Sequence, residues 1–181
     1  VWVGTGENNT QRNLAYGDGV YKTTDGGKSF TNMGLKTSSQ IGKIMIDPRN
    51  SNVVYVAAQG QAWGPGGERG LYKTIDGGKT WNRVLEIGEY TGVSDLEMDP
   101  RNPDILIASA YQRRRHFGIL VGGGSEGGAF KSVDGGKTWE KLKGGFPQGE
   151  LGRIGLARSP QKPDVLYALV AGTEKTKGGL I

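Results

Sequence analysis

The chain contains no cysteine, a single histidine, no apolar run approaching a membrane span, and only 35% hydrophobic residues. Without cysteine there is no disulfide scaffold, no thiolate metal site and no cysteine nucleophile. One histidine cannot hold a metal ion without partners, and no stretch reaches the roughly 18 apolar residues that a membrane-crossing helix needs. Excess charge is also scarce: 23 lysines and arginines stand against 18 aspartates and glutamates, a net charge of +5. That modest balance does not imply nucleic acid, which would want basic and aromatic residues interleaved over a broad face. The sequence does not start with methionine, and no leader is expected in it. The opening Val1-Trp2-Val3-Gly4 reads as the middle of a strand, so the expectation is an internal piece of a longer polypeptide. What the chain has in quantity is glycine, 33 of 181 residues. Each helix-interior glycine costs roughly 1 kcal/mol relative to alanine, which argues against a helical bundle. No Gly-X-Y period exists, and Val, Ile, Trp and Tyr recur between the turns too regularly for a disordered linker. An all-β chain with many tight turns is what remains.

Internal repeats define the architecture. Gly19-Val20-Tyr21-Lys22-Thr23-Thr24-Asp25-Gly26-Gly27-Lys28-Ser29-Phe30 returns as Gly70-Leu71-Tyr72-Lys73-Thr74-Ile75-Asp76-Gly77-Gly78-Lys79-Thr80-Trp81. It returns again as Gly128-Ala129-Phe130-Lys131-Ser132-Val133-Asp134-Gly135-Gly136-Lys137-Thr138-Trp139. Between these copies, Asp47-Pro48-Arg49-Asn50 and Asp99-Pro100-Arg101-Asn102 each lead into an apolar run, and Ser159-Pro160-Gln161-Lys162 is a degraded third copy. Each repeat then holds four short extended runs separated by turns, at a period of about 50 residues, which is the pattern of a β-propeller blade. Asp-Gly-Gly-Lys suits a hairpin turn with glycine where φ is positive, and Asp-Pro-Arg-Asn a turn in which proline fixes φ. The expected division is 1–33 as the end of one blade, 41–85 and 93–142 as blades, and 152–181 as the start of the next. Because propellers close with about four to eight blades, the remainder of its own propeller is an expected partner.

The Ser/Thr-X-Asp-X-Gly-X-Thr-Trp/Phe pattern of residues 23–30, 74–81 and 132–139 resembles the Asp-box, or BNR repeat, of sialidases, xyloglucan-cleaving glycosidases and the sortilin ectodomain. With Asp-Pro-Arg-Asn and Tyr111-Gln112-Arg113-Arg114-Arg115-His116, the chain is similar to bacterial exported sortilin-like proteins often labelled glycosyl hydrolase. The resemblance implies a β-propeller and a periplasmic, cell-surface or secreted location. It also implies that the boxes lie at the blade periphery, as structural staples. Asp25, Gly27 and Phe30, then Asp76, Gly78 and Trp81, then Asp134, Gly136 and Trp139 are their defining residues. Each box offers one carboxylate where a calcium loop offers several, so no metal and no cofactor are expected.

In an up-and-down blade the Asp-Pro turn and the Asp-box share one face, and the long unequal connections share the other. Long varied loops are where binding surfaces are built. That face carries Glu7, Asn8, Asn9, Gln11 and Arg12, then Trp63 among glycines, then Arg113, Arg114, Arg115 and His116. A tryptophan with amides and carboxylates nearby suits a sugar, whose C–H faces stack on aromatic rings and whose hydroxyls want planar partners. Trp63 could equally plug the gap between two blades, and the arginines could pair with interface carboxylates such as Glu97.

A glycosidase needs two carboxylates roughly 5 to 10 Å apart. Asp95 and Glu97, two apart on an expected first strand, emerge on one face about 7 Å apart. Aligning Pro48 with Pro100 puts Lys43 and Met45 at the matching places of the preceding blade, so an ion pair between blades competes with catalysis. Glu7 is a weaker acidic candidate on the loop face, which also holds Asp18, Glu68, Glu89, Glu126 and Glu150. The adjacent arginines do not imitate the three-arginine grip of sialidases, since neighbours on a strand point opposite ways. The expected function is a non-catalytic protein- or glycan-binding propeller of an exported protein, with a glycoside hydrolase as the alternative.

Overall fold

The computed structural model describes residues 1–8, 14–173 and 178–180. It is all antiparallel β, in four sheets laid down in chain order. The first sheet holds β1 (Trp2–Gly4), β2 (Val20–Lys22) and β3 (Thr31–Asn32), and the second β4 (Ile41–Ile46), β5 (Val54–Ala58), β6 (Gly70–Thr74) and β7 (Asn82–Leu85). The third holds β8 (Thr91–Met98), β9 (Leu106–His116), β10 (Ile119–Gly122), β11 (Gly128–Ser132) and β12 (Glu140–Lys141). The fourth holds β13 (Ile154–Arg158), β14 (Leu166–Val170) and β15 (Gly179–Leu180). Each strand pairs with its chain neighbour except at the third sheet, where β11 returns to β9 past the β9–β10 hairpin. The sheets pack side by side as blades of a propeller, with β8 lying against β4 on one side and β13 on the other.

The core is a set of layers between sheets. Val20, Leu35, Ile41, Val54, Val56 and Ala58 fill the layer between the first and second sheets, with Trp2, Met33 and Trp81 against them. Tyr55, Leu71, Val93, Leu96, Leu106 and Ala108 fill the next, and Ile107, Leu151, Ile154, Ala168 and Val170 the last. Strand side chains alternate between faces. In β5 the even-numbered residues therefore meet the first sheet and Tyr55 and Ala57 the third, and all five residues are buried. A strand covered on both faces reads as a continuous apolar run, as Val53-Val54-Tyr55-Val56-Ala57-Ala58 does.

The three Asp-box turns share one hydrogen-bond pattern. In the second sheet, Thr74 Oγ1 donates to Asp76 Oδ1 at 2.7 Å and accepts from the Gly78 amide at 2.9 Å. Asp76 accepts from the amides of Lys79 and Thr80 and from Thr80 Oγ1. The same bonds recur around Asp25 and Asp134. A short side chain thus replaces the backbone partners that a tight turn leaves unpaired. Trp139 donates its indole N–H to the Gly136 carbonyl of its own turn at 3.2 Å, and Phe30 is half-exposed. The two tryptophans also reach the preceding sheet: Trp81 sits edge-on to Trp2 at 6.0 Å and donates its indole N–H to the Met33 carbonyl, and Trp139 joins the layer around Tyr55. Gly78 is required there, because a Cβ on it would fall 2.5 Å from the Trp2 ring.

Polar links repeat in register with these contacts. Lys22 Nζ donates to the Gly77 carbonyl and Lys73 Nζ to the Gly135 carbonyl, each on the next sheet. Arg49 pairs with Asp47 of its own turn and Asp104 of the next, and Arg101 likewise with Asp99 and Asp164.

Hydrogen bonds from the neighbouring hydroxyls and amides hold the Asp25, Asp76 and Asp134 carboxyls well below the usual aspartate range. Their stabilisation is complete above the unfolded value, about 3.9, and is lost as pH falls through the lower folded value. The melting temperature is expected to hold from neutral pH to about pH 5 and to fall below about pH 4, less steeply in Asp76→Asn. Asp76→Ala is expected to lower the melting temperature at pH 7 by a few degrees, as are Asp25→Ala and Asp134→Ala, and calorimetry checks each.

Candidate functional site

The connection between β5 and β6 carries four glycines, at 60, 64, 66 and 67, and its carbonyls face a single buried guanidinium. Arg69 donates Nε to the Gly66 carbonyl at 2.7 Å, Nη1 to Gln59 at 3.0 Å, and Nη2 to Gly64 at 2.6 Å and to Gln61. Burial without a carboxylate partner lowers its pKa to about 10, so it remains charged at neutral pH. A Cβ at Gly60, where φ is 77°, would fall 2.3 Å from Arg69 Cγ. The loop is also tied to its neighbours. Glu68 accepts from the Thr37 amide and hydroxyl, the Gly66 amide donates to the Glu89 carbonyl, and the Arg115 amide donates to the Ala62 carbonyl at 2.8 Å.

Trp63 projects from this braced loop and is 51% exposed, on the loop face rather than plugging a gap between blades. With Arg115, His116, Gly118, Ile119 and Leu120 it lines an open cleft of about 290 Å³. The Arg115 guanidinium lies 5.9 Å from the Trp63 ring centre. The opposite wall is a hairpin where the sequence suggested a loop: β9 runs on to His116 and returns as β10, with Arg115 opposite Leu120 and Arg114 opposite Val121.

The three arginines do not pair with Glu97, as the sequence allowed. Arg113 is buried and donates to Gln40 Oε1 at 3.2 Å, and burial depresses its pKa. Arg114 stacks over Tyr90 at 5.1 Å, and Arg115 faces Trp63. His116 is exposed at the hairpin end. Glu7 is exposed and accepts from the Ala15 amide. Asn8 reaches the Ser94 carbonyl at 3.5 Å, and its own carbonyl accepts from Arg153. These two stand away from the Trp63 cleft lining. Gln11 and Arg12, with Asn9, lie outside the described residues.

Asp95 and Glu97 do face one side of β8, and Lys43 of β4 stands between them. Its Nζ is 3.1 Å from Asp95 Oδ1 and 2.8 Å from Glu97 Oε1. Burial works against the Lys43 ammonium, but the hydrogen bond to Glu97 and the charge of Asp95 outweigh it and raise its pKa. Asp95 also accepts from the Leu96 amide on Oδ1 and from the Leu156 amide of the fourth sheet on Oδ2. One carboxylate thus joins three consecutive blades. Among the described residues no group of three His, Asp or Glu could hold a metal ion.

Arg69 braces the loop that carries Trp63, although it did not stand out in the sequence, and Glu68, one of the acidic residues read on the loop face, ties that loop to Thr37. The available signal was an arginine closing a glycine-rich loop, whose carbonyls have few side chains nearby to satisfy them.

A family model described as sortilin, neurotensin receptor 3, matches residues 18–176. A xyloglucanase from a Paenibacillus species is 31% identical over 116 residues, which are 61% of this chain and 10% of that protein. The GH74 xyloglucanase of Xanthomonas campestris superposes with a TM-score of 0.66 at 16% identity, over 90% of this chain and 25% of its own. The GH74 enzyme of Niastella koreensis does so with a TM-score of 0.55 at 20% identity, over 92% and 26%. The chain thus spans about a tenth of the length of the curated relative and about a quarter of these two structures. With its repeats, its blades and this match over most of its length, the chain belongs to the Sortilin-Vps10 family.

Proposed function

We propose that the loop face of this chain is a non-catalytic glycan-binding surface of an exported propeller protein, centred on Trp63. The observation that carries the reading is a half-exposed indole held on a loop braced by Arg69. Stacking of a sugar on an aromatic ring is favoured when the ring is already fixed, because little side-chain freedom is lost on binding. Arg115, at the ring, and His116 supply donors for hydroxyls beside it. The xyloglucanase relative makes a β-glucan chain with xylosyl branches the first ligand to offer.

The acidic pair supports binding without turnover. Glycoside hydrolysis needs one carboxyl free to deliver a proton and another free to attack or to activate water. Asp95 has both oxygens engaged by Lys43, Leu96 and Leu156, and Glu97 is held by the same lysine. These bonds tie blades together and leave neither carboxylate unoccupied.

Calorimetric titration with xyloglucan oligosaccharides is expected to show binding that Trp63→Ala weakens by up to about tenfold, the scale of one aromatic contact. Arg69→Met is expected to weaken it as well, with Trp63 still in place. No release of reducing sugar is expected from xyloglucan or aryl glycosides. Turnover that disappears in Asp95→Asn or Glu97→Gln would replace this reading with the hydrolase.

A further inference from the structure

The tip of the β9–β10 hairpin is the most exposed apolar point among the described residues. Phe117 is 99% exposed, Ile119 61% and Leu120 36%, and a Cβ on Gly118 would meet nothing within 4 Å. β10 pairs with β9 alone. The hairpin belongs to the third sheet, which has the second sheet on one side and the fourth on the other. Both neighbouring blades are therefore present beside it, and they leave the tip uncovered. Single exposed apolar side chains are ordinary, but a contiguous group of them marks a docking surface. The glycan reading does not account for Phe117, which stands outside the lining of the Trp63 cleft.

The charge of this hairpin has one sign. Residues 105–125 include three arginines and a histidine, and no aspartate or glutamate. By register His116 lies opposite Ile119, Arg115 opposite Leu120 and Arg114 opposite Val121. A strand advances about 3.4 Å per residue, so Arg115 and Arg114 stand roughly 7 to 10 Å behind Phe117. Contacts with Trp63 and Tyr90 hold both guanidinia at that level. The hairpin thus presents an apolar tip followed by a basic collar. Apolar side chains of surface-bound elements enter a bilayer by about 5 to 10 Å, which places the collar at the headgroups, where arginine is attracted by anionic lipid.

We propose that the β9–β10 hairpin is a membrane-docking tip: Phe117, Ile119 and Leu120 enter the acyl boundary of a bilayer with anionic headgroups, and Arg114 and Arg115 meet the headgroup phosphates. The tip is convex and narrow, with Phe117 and Gly118 as its two-residue turn. A fluid bilayer accommodates such a shape without a preformed pocket, and the basic collar complements its charge. Trp63, half-exposed beside the hairpin, sits at the level where indole rings settle in a membrane interface. The inference goes beyond the glycan reading and does not depend on it. Ile119 and Leu120 also line the Trp63 cleft, so Phe117 carries the test.

The full chain is expected to float with vesicles of phosphatidylglycerol and phosphatidylcholine, and far less with phosphatidylcholine alone. Its binding should fall as salt rises, because the headgroup attraction is screened. Phe117→Ser is expected to weaken the partition by about tenfold or more, the scale of burying one phenylalanine. The melting temperature and the xyloglucan titration should not change in that variant, since the side chain lies outside both the core and the cleft. As a second measurement, Phe117→Cys, in a chain otherwise lacking cysteine, can carry an environment-sensitive fluorophore whose emission should shift to the blue on adding anionic vesicles. The same label on Lys79→Cys, at an exposed position of an Asp-box turn, should not respond. No flotation with anionic vesicles would overturn the proposal, as would a partition indifferent to Phe117→Ser or a label at 117 that stays in water. Binding of soluble polyglutamate, or self-association lost in Phe117→Ser, without vesicle binding would assign the patch to an acidic protein or to a second copy and overturn it equally.

Discussion

A four-stranded sheet with two apolar faces cannot remove both from water by itself, and the rest of this structure follows from that constraint. β5 shows it most directly: Val54 and Val56 lie against the first sheet while Tyr55 and Ala57 lie against the third, and none of them is accessible. Burying apolar surface contributes roughly 25 cal/mol per Å², and here nearly all of that burial falls between sheets. Stability is therefore shared along the row of blades, each depending on its neighbours, as in other repeat architectures. β14 gives the converse. Its Ala168 and Val170 are covered by the third sheet, while Tyr167 and Leu169 on the opposite face remain in solvent.

Polar groups divide between two tasks. The Asp-box carboxylates act locally, each satisfying the amides of its own turn, and so they set the shape of the edge that meets the preceding blade. Lys22, Lys73, Arg49 and Arg101 act across blades and fix the register in which that edge lands. Exposed ion pairs contribute little to stability, but a repeated set in one register excludes sliding of one sheet past the next. Close to the inner strands the same logic absorbs Lys43, Asp95 and Glu97: a cation from one blade joins two anions of the next, and Asp95 continues to the third.

The proposed binding surface lies at the opposite edge of the sheets, where connections differ in length. The loop between β5 and β6 would be soft if it depended on its own glycines. Arg69, buried and multiply bonded to carbonyls, makes it a fixed support for Trp63. The β9–β10 hairpin brings Arg115 to the indole from the neighbouring blade and ties its own backbone to Ala62. The cleft thus exists only where two blades meet.

The sequence by itself determined the repeat, the strands and the turns, because these depend on local chemistry. Gly-Gly after aspartate specifies a turn, alternation specifies strands, and three copies in one order specify stacked blades. It also placed Lys43 opposite Asp95 and Glu97, since aligned repeats put aligned residues on adjacent blades. Only the tertiary structure decided which of two uses each polar residue serves. Trp63 could have plugged a blade gap, and the arginine run could have met Glu97; both depended on the path of loops that break the repeat. The extension of β9 into a hairpin and the bracing by Arg69 were illegible for the same reason. Repetition predicts what recurs, whereas a cleft between two unequal loops is a contact that occurs once, between residues far apart in the chain.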